Sequence, residues 1–400
     1  MTKTGIRRPR RAAGLTALAL AAALSAVTPP AYAAPQGRIL GTGDPGSVSG
    51  SYIVTLKGGT RARSAAGHDV AEAYGARIGH TYSSVLNGYS VTTGERQARE
   101  LAADARVASV TQDTRVAYDH VQRNPPSWGI DRIDQPDLPL DESYDAPEPE
   151  GAGVTVYVID TGIRATHEDF GSRASSGWDF VEDDATAQDG HGHGTHVAGI
   201  IAGTTYGVAK KARVVGVRVL DDAGSGTTAQ VIAGIDWVTR NARKPAVANM
   251  SLGGFANAQL DAAVRTSIAS GVTFAVAAGN DGIAADLYSP ARVKEAITVG
   301  ATDDGDRRAP FSNWGPSLDV FAPGVSITSA WNTSDTAKAT HAGTSMATPH
   351  VTGAAALRLA AHPGDTPAEV SDALANAAVA GKVTARGIGS PDRLLQVNSP

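Results

Sequence analysis

Three short segments of this chain hold side chains that could act together on a peptide or ester carbonyl. Val156-Tyr-Val-Ile-Asp160-Thr-Gly-Ile163 ends an apolar run in a carboxylate and a glycine turn. Asp189-Gly-His191-Gly-His193-Gly-Thr-His196-Val-Ala-Gly199 sets histidines at the opening of a helical stretch. His341-Ala-Gly343-Thr344-Ser345-Met346-Ala347-Thr348-Pro349-His350 sets a serine at the opening of another. A nucleophilic serine needs a base within hydrogen-bond reach, and the base needs a third group to fix its tautomer. An Asp, a His and a Ser are available in that chain order. At a helix N-terminus, Ser345 would bring backbone N–H donors to a developing oxyanion, and the small Gly343 and Ala347 would admit a substrate backbone. A fourth segment, Phe274-Ala-Val-Ala-Ala-Gly279-Asn280-Asp-Gly282, ends a strand in an amide whose N–H₂ could serve the same oxyanion.

The elements that must position these groups follow from hydrophobic pattern. Val154–Ile159, Ala212–Val219, Val247–Met250, Val272–Ala277 and Ala296–Val299 are short, continuously apolar runs, the pattern of buried parallel strands. His193–Ile201, Thr228–Asn241, Asn257–Ser270 and Ser345–His362 are expected helices between and after them. The alternation indicates an α/β fold: a doubly wound, mainly parallel sheet covered on both faces, with its site at the strand C-terminal edge. Upstream, Ser51–Leu56, a helix near His68–Tyr74, a strand region Val85–Val91 broken by an Asn87-Gly88 turn, a helix Glu95–Asp104 and strands Val107–Gln112 and Thr114–Tyr118 form a separate small unit. Its β-α-β-β-α-β order is the ferredoxin-like α+β pattern. The boundary falls at Asp119–Pro126, where periodicity is lost.

With these blocks in hand, the chain resembles a subtilisin-like serine peptidase, most closely the proteinase K/aqualysin branch. The Asp…His…Ser order is that of the subtilisins. Trp128-Gly-Ile-Asp-Arg-Ile-Asp134, Tyr206-Gly-Val-Ala-Lys210, Gly224-Ser-Gly226, Ala246-Val-Ala-Asn-Met-Ser-Leu-Gly-Gly254, Ser289-Pro-Ala291 and Ser390-Pro-Asp-Arg-Leu-Leu395 extend the likeness over roughly 121–398, and 51–119 resembles a subtilisin propeptide in pattern and position. The resemblance implies Ser345 as nucleophile, His193 as general base and then acid, and Asp160 as its orienting partner. It implies an oxyanion hole of the Asn280 side chain and the Ser345 N–H. Gly224, Ser225, Gly226, Ser251, Leu252 and Gly253 would bind substrate as an added strand, and Ala277, Ala278 and Gly279 would wall the primary pocket. No acid stands in those wall segments, so the expected preference is broad and apolar or aromatic rather than basic. The likeness also implies structural Ca²⁺: Asp319 with the backbone carbonyls of Lys294 and Ala296, then Asp131, Asp134, Gln135 and Asp141, then an acidic loop of Asp179, Glu182, Asp183 and Asp184. No catalytic metal or organic cofactor is implied.

Taken singly, each residue has a plainer role. Asp160 could cap a strand end, Ser345 an N-cap, Asn280 a turn, and an acidic loop is ordinarily solvated surface. His191, His193 and His196 could suggest a metal, but the Gly-Thr-His-Val-Ala-Gly context favours the peptidase. His196 and His350 read as packed helix histidines. His191 departs from the Asn or Ser expected beside the base, and could shift the pH profile of His193 through like charge. An α/β-hydrolase esterase would need Gly-x-Ser-x-Gly and the order Ser, acid, His, and neither is present. A non-catalytic binding relative is disfavoured by the full set Asp160, His193, Asn280 and Ser345, and an acid peptidase with Glu and Asp in place of His by His193 itself.

Composition bounds the rest. The chain has 400 residues, 42% hydrophobic and 19% charged, so it can build a sizeable core. It holds no cysteine, which removes disulfides, Cys-based metal sites and a Cys nucleophile. By resemblance, Gly190, Asp222, Asp286 and Ser317 stand where some relatives carry cysteines. The formal charge of −5 argues against a nucleic-acid partner. It divides into +6 over residues 1–120 and −11 over 121–400. Lys3, Arg7, Arg8, Arg10 and Arg11, the apolar stretch Gly14–Val27 and Ala31-Tyr-Ala-Ala34 describe a secretory signal peptide. The expected organisation is therefore signal peptide (1–34), propeptide (35–120, chaperone and transient inhibitor) and peptidase domain (121–400). The mature product is expected to be a secreted monomer without a membrane anchor, acting on polypeptides after self-cleavage near Asp119–Gln122.

Overall fold

The computed structural model describes residues 35–43, 47–114 and 121–397; the expected signal peptide, all but the first residue of the expected strand Thr114–Tyr118, and half of the expected cleavage region Asp119–Gln122 lie outside them. The chain divides into two compact units, ending and beginning at Tyr118 and Asp119.

The first unit contains β1 (Ile39–Leu40), β2 (Ser47–Leu56), α1 (Ala65–Glu72), β3 (Arg77–Tyr82), β4 (Gly88–Thr92), α2 (Glu95–Ala102) and β5 (Val107–Thr114). Its sheet order is β1-β5-β2-β4-β3, the ferredoxin-like order with β1 added in parallel to β5. The alternating residues Tyr52, Val54 and Leu56 of β2 face a core shared with Val70 of α1 and Leu101 of α2. The expected strand region over 85–91 holds from Gly88 onward, as β4, and is corrected before it. Val85 is an exposed loop tip, and β3 lies earlier. Asn87 is not a two-residue hairpin turn: its Oδ1 accepts from the Ala62 N–H at 3.0 Å and its Nδ2 donates to Thr60 O at 2.9 Å, pinning the loop after β2.

The second unit contains β6 (Val121–Arg123), α3 (Trp128–Ile133), β7 (Ser143–Asp145), β8 (Thr155–Asp160), β9 (Ala174–Asp179), α4 (His193–Ala202), β10 (Arg213–Arg218), α5 (Thr228–Asn241), β11 (Ala246–Met250), β12 (Gly254–Phe255), α6 (Ala258–Ala269), β13 (Thr273–Ala277), β14 (Tyr288–Ser289), β15 (Ile297–Thr302), β16 (Val320–Pro323), β17 (Ile327–Ala330), β18 (Lys338–His341), α7 (Thr344–Ala361) and α8 (Pro367–Ala377). Seven strands form one sheet in the order β16-β15-β13-β11-β8-β10-β9, and every pairing in it is parallel. Both faces are covered. Val197 and Ile201 of α4 and Met346 and Val351 of α7 pack in one core, and Val231 and Ile235 of α5 with Leu260 and Val264 of α6 in the other. This two-sided burial is why β8 and β11 read as unbroken apolar runs.

The connection reverses at β8, with β10 and β9 on one side and β11 to β16 on the other. In open parallel sheets the crevice at such a switch is where ligands bind.

Candidate active site

Asp160 is the last residue of β8 and is fully buried. His193 is the first residue of α4, preceded by Gly192 at φ 111°, a left-handed turn open to glycine. That turn aims the imidazole at β8: His193 Nδ1 lies 2.7 Å from Asp160 Oδ1, which also accepts from the Thr161 N–H at 2.7 Å. Burial pushes the His193 pKa down, but the charge and hydrogen bond of Asp160, helped by Asp189, outweigh it and hold it above the ordinary 6.5. Asp189 frames the turn, its Oδ1 accepting from the His191 and Gly192 N–H groups and its Oδ2 from the Thr195 N–H.

Ser345 stands in the first turn of α7, whose leading N–H groups have no helical acceptor. Its Oγ donates to Ser251 O at 3.2 Å, and Ser251 Oγ donates back to Ser345 O at 2.9 Å. Among the described residues, no hydrogen bond joins Ser345 to His193. Asn280 follows β13 by a short turn. Its Oδ1 accepts from the Thr344 N–H at 2.8 Å and from Thr344 Oγ1 at 2.9 Å. A backbone N–H can only donate, so the contact fixes the amide: the oxygen faces α7 and the N–H₂ is left for a ligand.

Two cavities adjoin here. One, of about 530 Å³, is lined by His193, His191, Gly224, Ser225, Gly226 and Ser251 together with Leu252 and Gly253. The other, of about 170 Å³, is lined by Ala277, Gly279, Asn280, Ser345 and again Leu252 and Gly253. The strip Leu252–Gly253 is their common wall. One candidate does not join them: Ala278 is fully buried and packs with Leu318 and Phe321. Its N–H donates to Val299 O at 3.0 Å and its carbonyl accepts from Asn313 Nδ2 at 2.9 Å. One residue was missed. Asp281 lines the smaller cavity, with its carboxylate held by the Tyr288 hydroxyl at 2.7 Å. Its place directly after Asn280 was the available signal.

His196 and His350 are internal, and His191 is exposed. His196 is fully buried with Nε2 3.1 Å from Ala339 O, and burial pushes its pKa down to about 3. His350 Nδ1 lies 2.8 Å from Met346 O, and burial pushes it down to about 4. His191 Nδ1 accepts from the His193 N–H at 3.3 Å.

Of the oxygen clusters, Asp131 and Asp134 each hold one buried carboxylate oxygen without a partner. Burial first, then neighbouring charge from Asp141, pushes Asp131 up to about 6; burial pushes Asp134 up to about 7, with the charges of Asp141 and Asp131 adding to it. Gln135 Oε1 accepts from the Asp141 N–H at 3.0 Å, so all four side chains share one neighbourhood. Asp319 Oδ2 accepts from the Thr298 N–H at 2.8 Å, and burial pushes it up to about 6. Lys294 and Ala296 precede the strand that pairs with β16, which follows Asp319. Among the described residues, no three His, Cys, Asp or Glu side chains converge closely enough to hold a metal by themselves. The acidic loop has another organiser: Arg218 donates to Asp179 at 2.6 Å and Glu182 at 3.3 Å, and also to Asp222 outside the loop at 2.8 Å.

The peptidase S8 subtilase family matches residues 151–394, and the peptidase inhibitor I9 family matches residues 51–119. The chain belongs to the subtilase family. It is 54% identical over 321 residues to an extracellular serine proteinase of Thermus sp. strain Rt41A, covering 80% of this chain and 78% of that one. It is 48% identical over 327 residues to alkaline serine exoprotease A of Vibrio alginolyticus, covering 80% of this chain and 60% of that one. A solved cold-adapted subtilisin-like serine proteinase superposes with a TM-score of 0.67 at 53% identity, covering 68% of this chain and 98% of that one. This subtilase is thus an extracellular serine endopeptidase of the proteinase K/aqualysin type with an inhibitor-like region ahead of its catalytic fold. Among the described residues, no helix is long and apolar enough to cross a membrane.

Proposed function

We propose that this subtilase cleaves internal peptide bonds through Ser345, His193 and Asp160, with Asn280 and the Ser345 N–H as the oxyanion hole. The observation that carries the reading is the pair of oriented contacts: Asp160 on His193 Nδ1, and Thr344 on Asn280 Oδ1. The first leaves His193 Nε2 as the nitrogen that can take a proton. The second leaves the Asn280 N–H₂ directed into the cavity that Ser345 lines.

Substrate lies along Gly224–Gly226 and Ser251–Gly253 as an added strand, its scissile carbonyl at Ser345. Ser345 Oγ exchanges its bond to Ser251 O for one to His193 Nε2. It attacks the carbonyl carbon as Nε2 takes its proton. The negative oxygen of the tetrahedral intermediate is met by the Asn280 amide and the Ser345 N–H. Nε2 returns the proton to the leaving amine, and a water repeats the cycle on the acyl-enzyme. Asp160 supports the imidazolium throughout and keeps its own charge. The preference is broad, for apolar or aromatic side chains against Ala277 and Gly279, with Asp281 at the rim held by Tyr288.

In the same reading residues 1–34 direct export. Residues 35–120 serve as folding template and transient inhibitor until the chain cuts itself near Asp119–Gln122, and 121–400 acts as a monomer on polypeptides. The orphaned oxygens of Asp131 and Asp134 suit an oxygen-seeking cation, with Gln135 and Asp141 beside them, and Asp319 with the Lys294 and Ala296 carbonyls suits a second. Bound Ca²⁺ would supply charge compensation for carboxylates that the fold buries. The test is Ser345→Ala in the full chain: the uncut precursor accumulates, and a fluorophosphonate probe labels the intact enzyme alone. Normal maturation of pure variant would refute self-processing, and failure of the probe on folded intact enzyme would refute the serine mechanism.

A further inference from the structure

We propose that a cavity at the opposite end of the central sheet from Asp160 binds a small aromatic anion, a planar ring bearing a phosphate or carboxylate. The cavity measures about 300 Å³ and lies where β8, β9 and β10 begin, at Thr155, Ala174 and Arg213. It shares no lining residue with the two cavities of the candidate active site.

Its charge is the first argument. Arg173, Arg213 and Arg243 line it, and no carboxylate does, although residues 121–400 carry a net −11. Arg213 and Arg243 are exposed and form no ion pair among the described residues. Arg173 is half-buried and immobilised by neutral acceptors: the Ala202 and Ala212 carbonyls, Asp169 O at 3.0 Å and Thr204 Oγ1 at 2.9 Å. Burial holds its pKa below the ordinary arginine value, against the opposing pull of the Asp169 carboxylate, with which it makes no side-chain hydrogen bond among the described residues. Of the acids near in sequence, Asp169 stands outside the lining with its Oδ1 accepting from the Thr205 N–H at 2.6 Å, and Asp236 is committed to Arg240 at 2.8 Å.

The second argument is the balance of donors and acceptors. The end of α5 forms one wall, and three of its carbonyls are engaged: Asn241 O accepts from Tyr157 Oη, Trp237 O from Asn241 Nδ2, and Val238 O from the Ala242 N–H. The hydroxyls of Ser172, Ser175 and Ser176 line the cavity and make no side-chain hydrogen bond among the described residues. The site therefore offers guanidinium and hydroxyl donors with no carboxylate in its lining to oppose an anion.

The third argument is the ring. Trp237 lines the cavity with its indole set edge-on to Tyr157, centroids 6.3 Å apart. It reaches β9 because Gly177 has no side chain: a Cβ there would come 2.8 Å from the indole. A flat ligand would bury its ring against this wall while its anion meets the arginines.

The test is calorimetric titration of the full-length Ser345→Ala chain with phenyl phosphate, benzoate, inorganic phosphate and phenol. Phenyl phosphate or benzoate should saturate one site per chain, the tighter of the two naming the anion. Phenol and inorganic phosphate should bind more weakly. Arg213→Gln with Arg243→Gln should weaken the aromatic anion about tenfold, with unchanged Tm and, in the Ser345 background, unchanged peptidase activity. Absence of saturation by both aromatic anions, equal binding by the double variant, or phosphate or phenol binding as tightly as the aromatic anion would overturn the proposal.

Discussion

Across 33 residues of sequence, His193 meets Asp160 through a single 2.7 Å contact between Nδ1 and Oδ1. The other carboxylate oxygen, Oδ2, is buried and has no hydrogen-bond partner. The side-chain charge of Asp160 is thus applied to one edge of one imidazole, and the opposite edge faces the cleft.

That relationship sets the pH profile. His193 works as a base only when neutral, and Asp160 holds its pKa above 6.5 against the opposing effect of burial. The acid limb of kcat/KM is expected above pH 6.5 in the intact enzyme. In Asp160→Ala, burial is opposed only by the charge of Asp189, the smallest of these effects, and the limb of the residual activity should move to lower pH, with kcat reduced by about 10⁴. A limb unmoved by the substitution would separate Asp160 from the titrating base.

Asn280→Ala should lower kcat by about 10²–10³ with little change in KM, because the amide acts on charge that exists only after attack. The substitution also removes an acceptor from the Thr344 N–H. Thermal melts of the Ser345→Ala background should therefore accompany the kinetics. A rise in KM at constant kcat would place Asn280 in ground-state binding instead.

Chelation should act on stability. In the Ser345→Ala chain, EGTA is expected to lower Tm by about 5–10 °C, and Asp131→Asn with Asp134→Asn should remove most of that sensitivity. The neutral amides also relieve the repulsion between buried carboxylates, so the variant without calcium should melt no lower than the chelated parent. Insensitivity of the parent to EGTA would exclude a structural calcium ion.

The absence of cysteine can be reversed at one place. Gly190 and Asp222 are spatial neighbours, since a Cβ on Gly190 would overlap the Asp222 carboxylate. Gly190→Cys with Asp222→Cys should close on oxidation and stabilise by about 3 kcal/mol, at the expense of the contact of the exposed Asp222 with Arg218, which keeps Asp179 as its buried partner. The comparison is Tm of oxidised against reduced variant; equal values would show that the two backbones stand too far apart or point away.

Much of the fold was legible in the residues because its strongest signals are local. The helix expected over Thr228–Asn241 spans those residues, since Thr227 and Gln230 form a reciprocal capping box at its start. The five apolar runs all became strands of the sheet. The strands missed are its two edges. β9 reads Ala-Ser-Ser-Gly-Trp-Asp, half-exposed and polar, and β16 is four residues long. Neither carries a pattern of its own, and each is a strand only because a neighbour supplies the ladder.

The same division runs through the site. The sequence alone determined that an acid ends a buried strand, that a histidine and a serine open two helices, and that an amide follows a third element, because strand ends and helix starts are written in short-range pattern. Only the tertiary structure decided which way each group faces. Thr344, 64 residues from Asn280, turns that amide toward the cavity. The turn after β13 sends Ala277 and Gly279 to the cavity and Ala278 into the core. Arg218, far along the chain, organises the acidic loop that looked like a cation site. Orientation depends on partners distant in sequence, and a partner's direction is fixed only when the strands between them have paired.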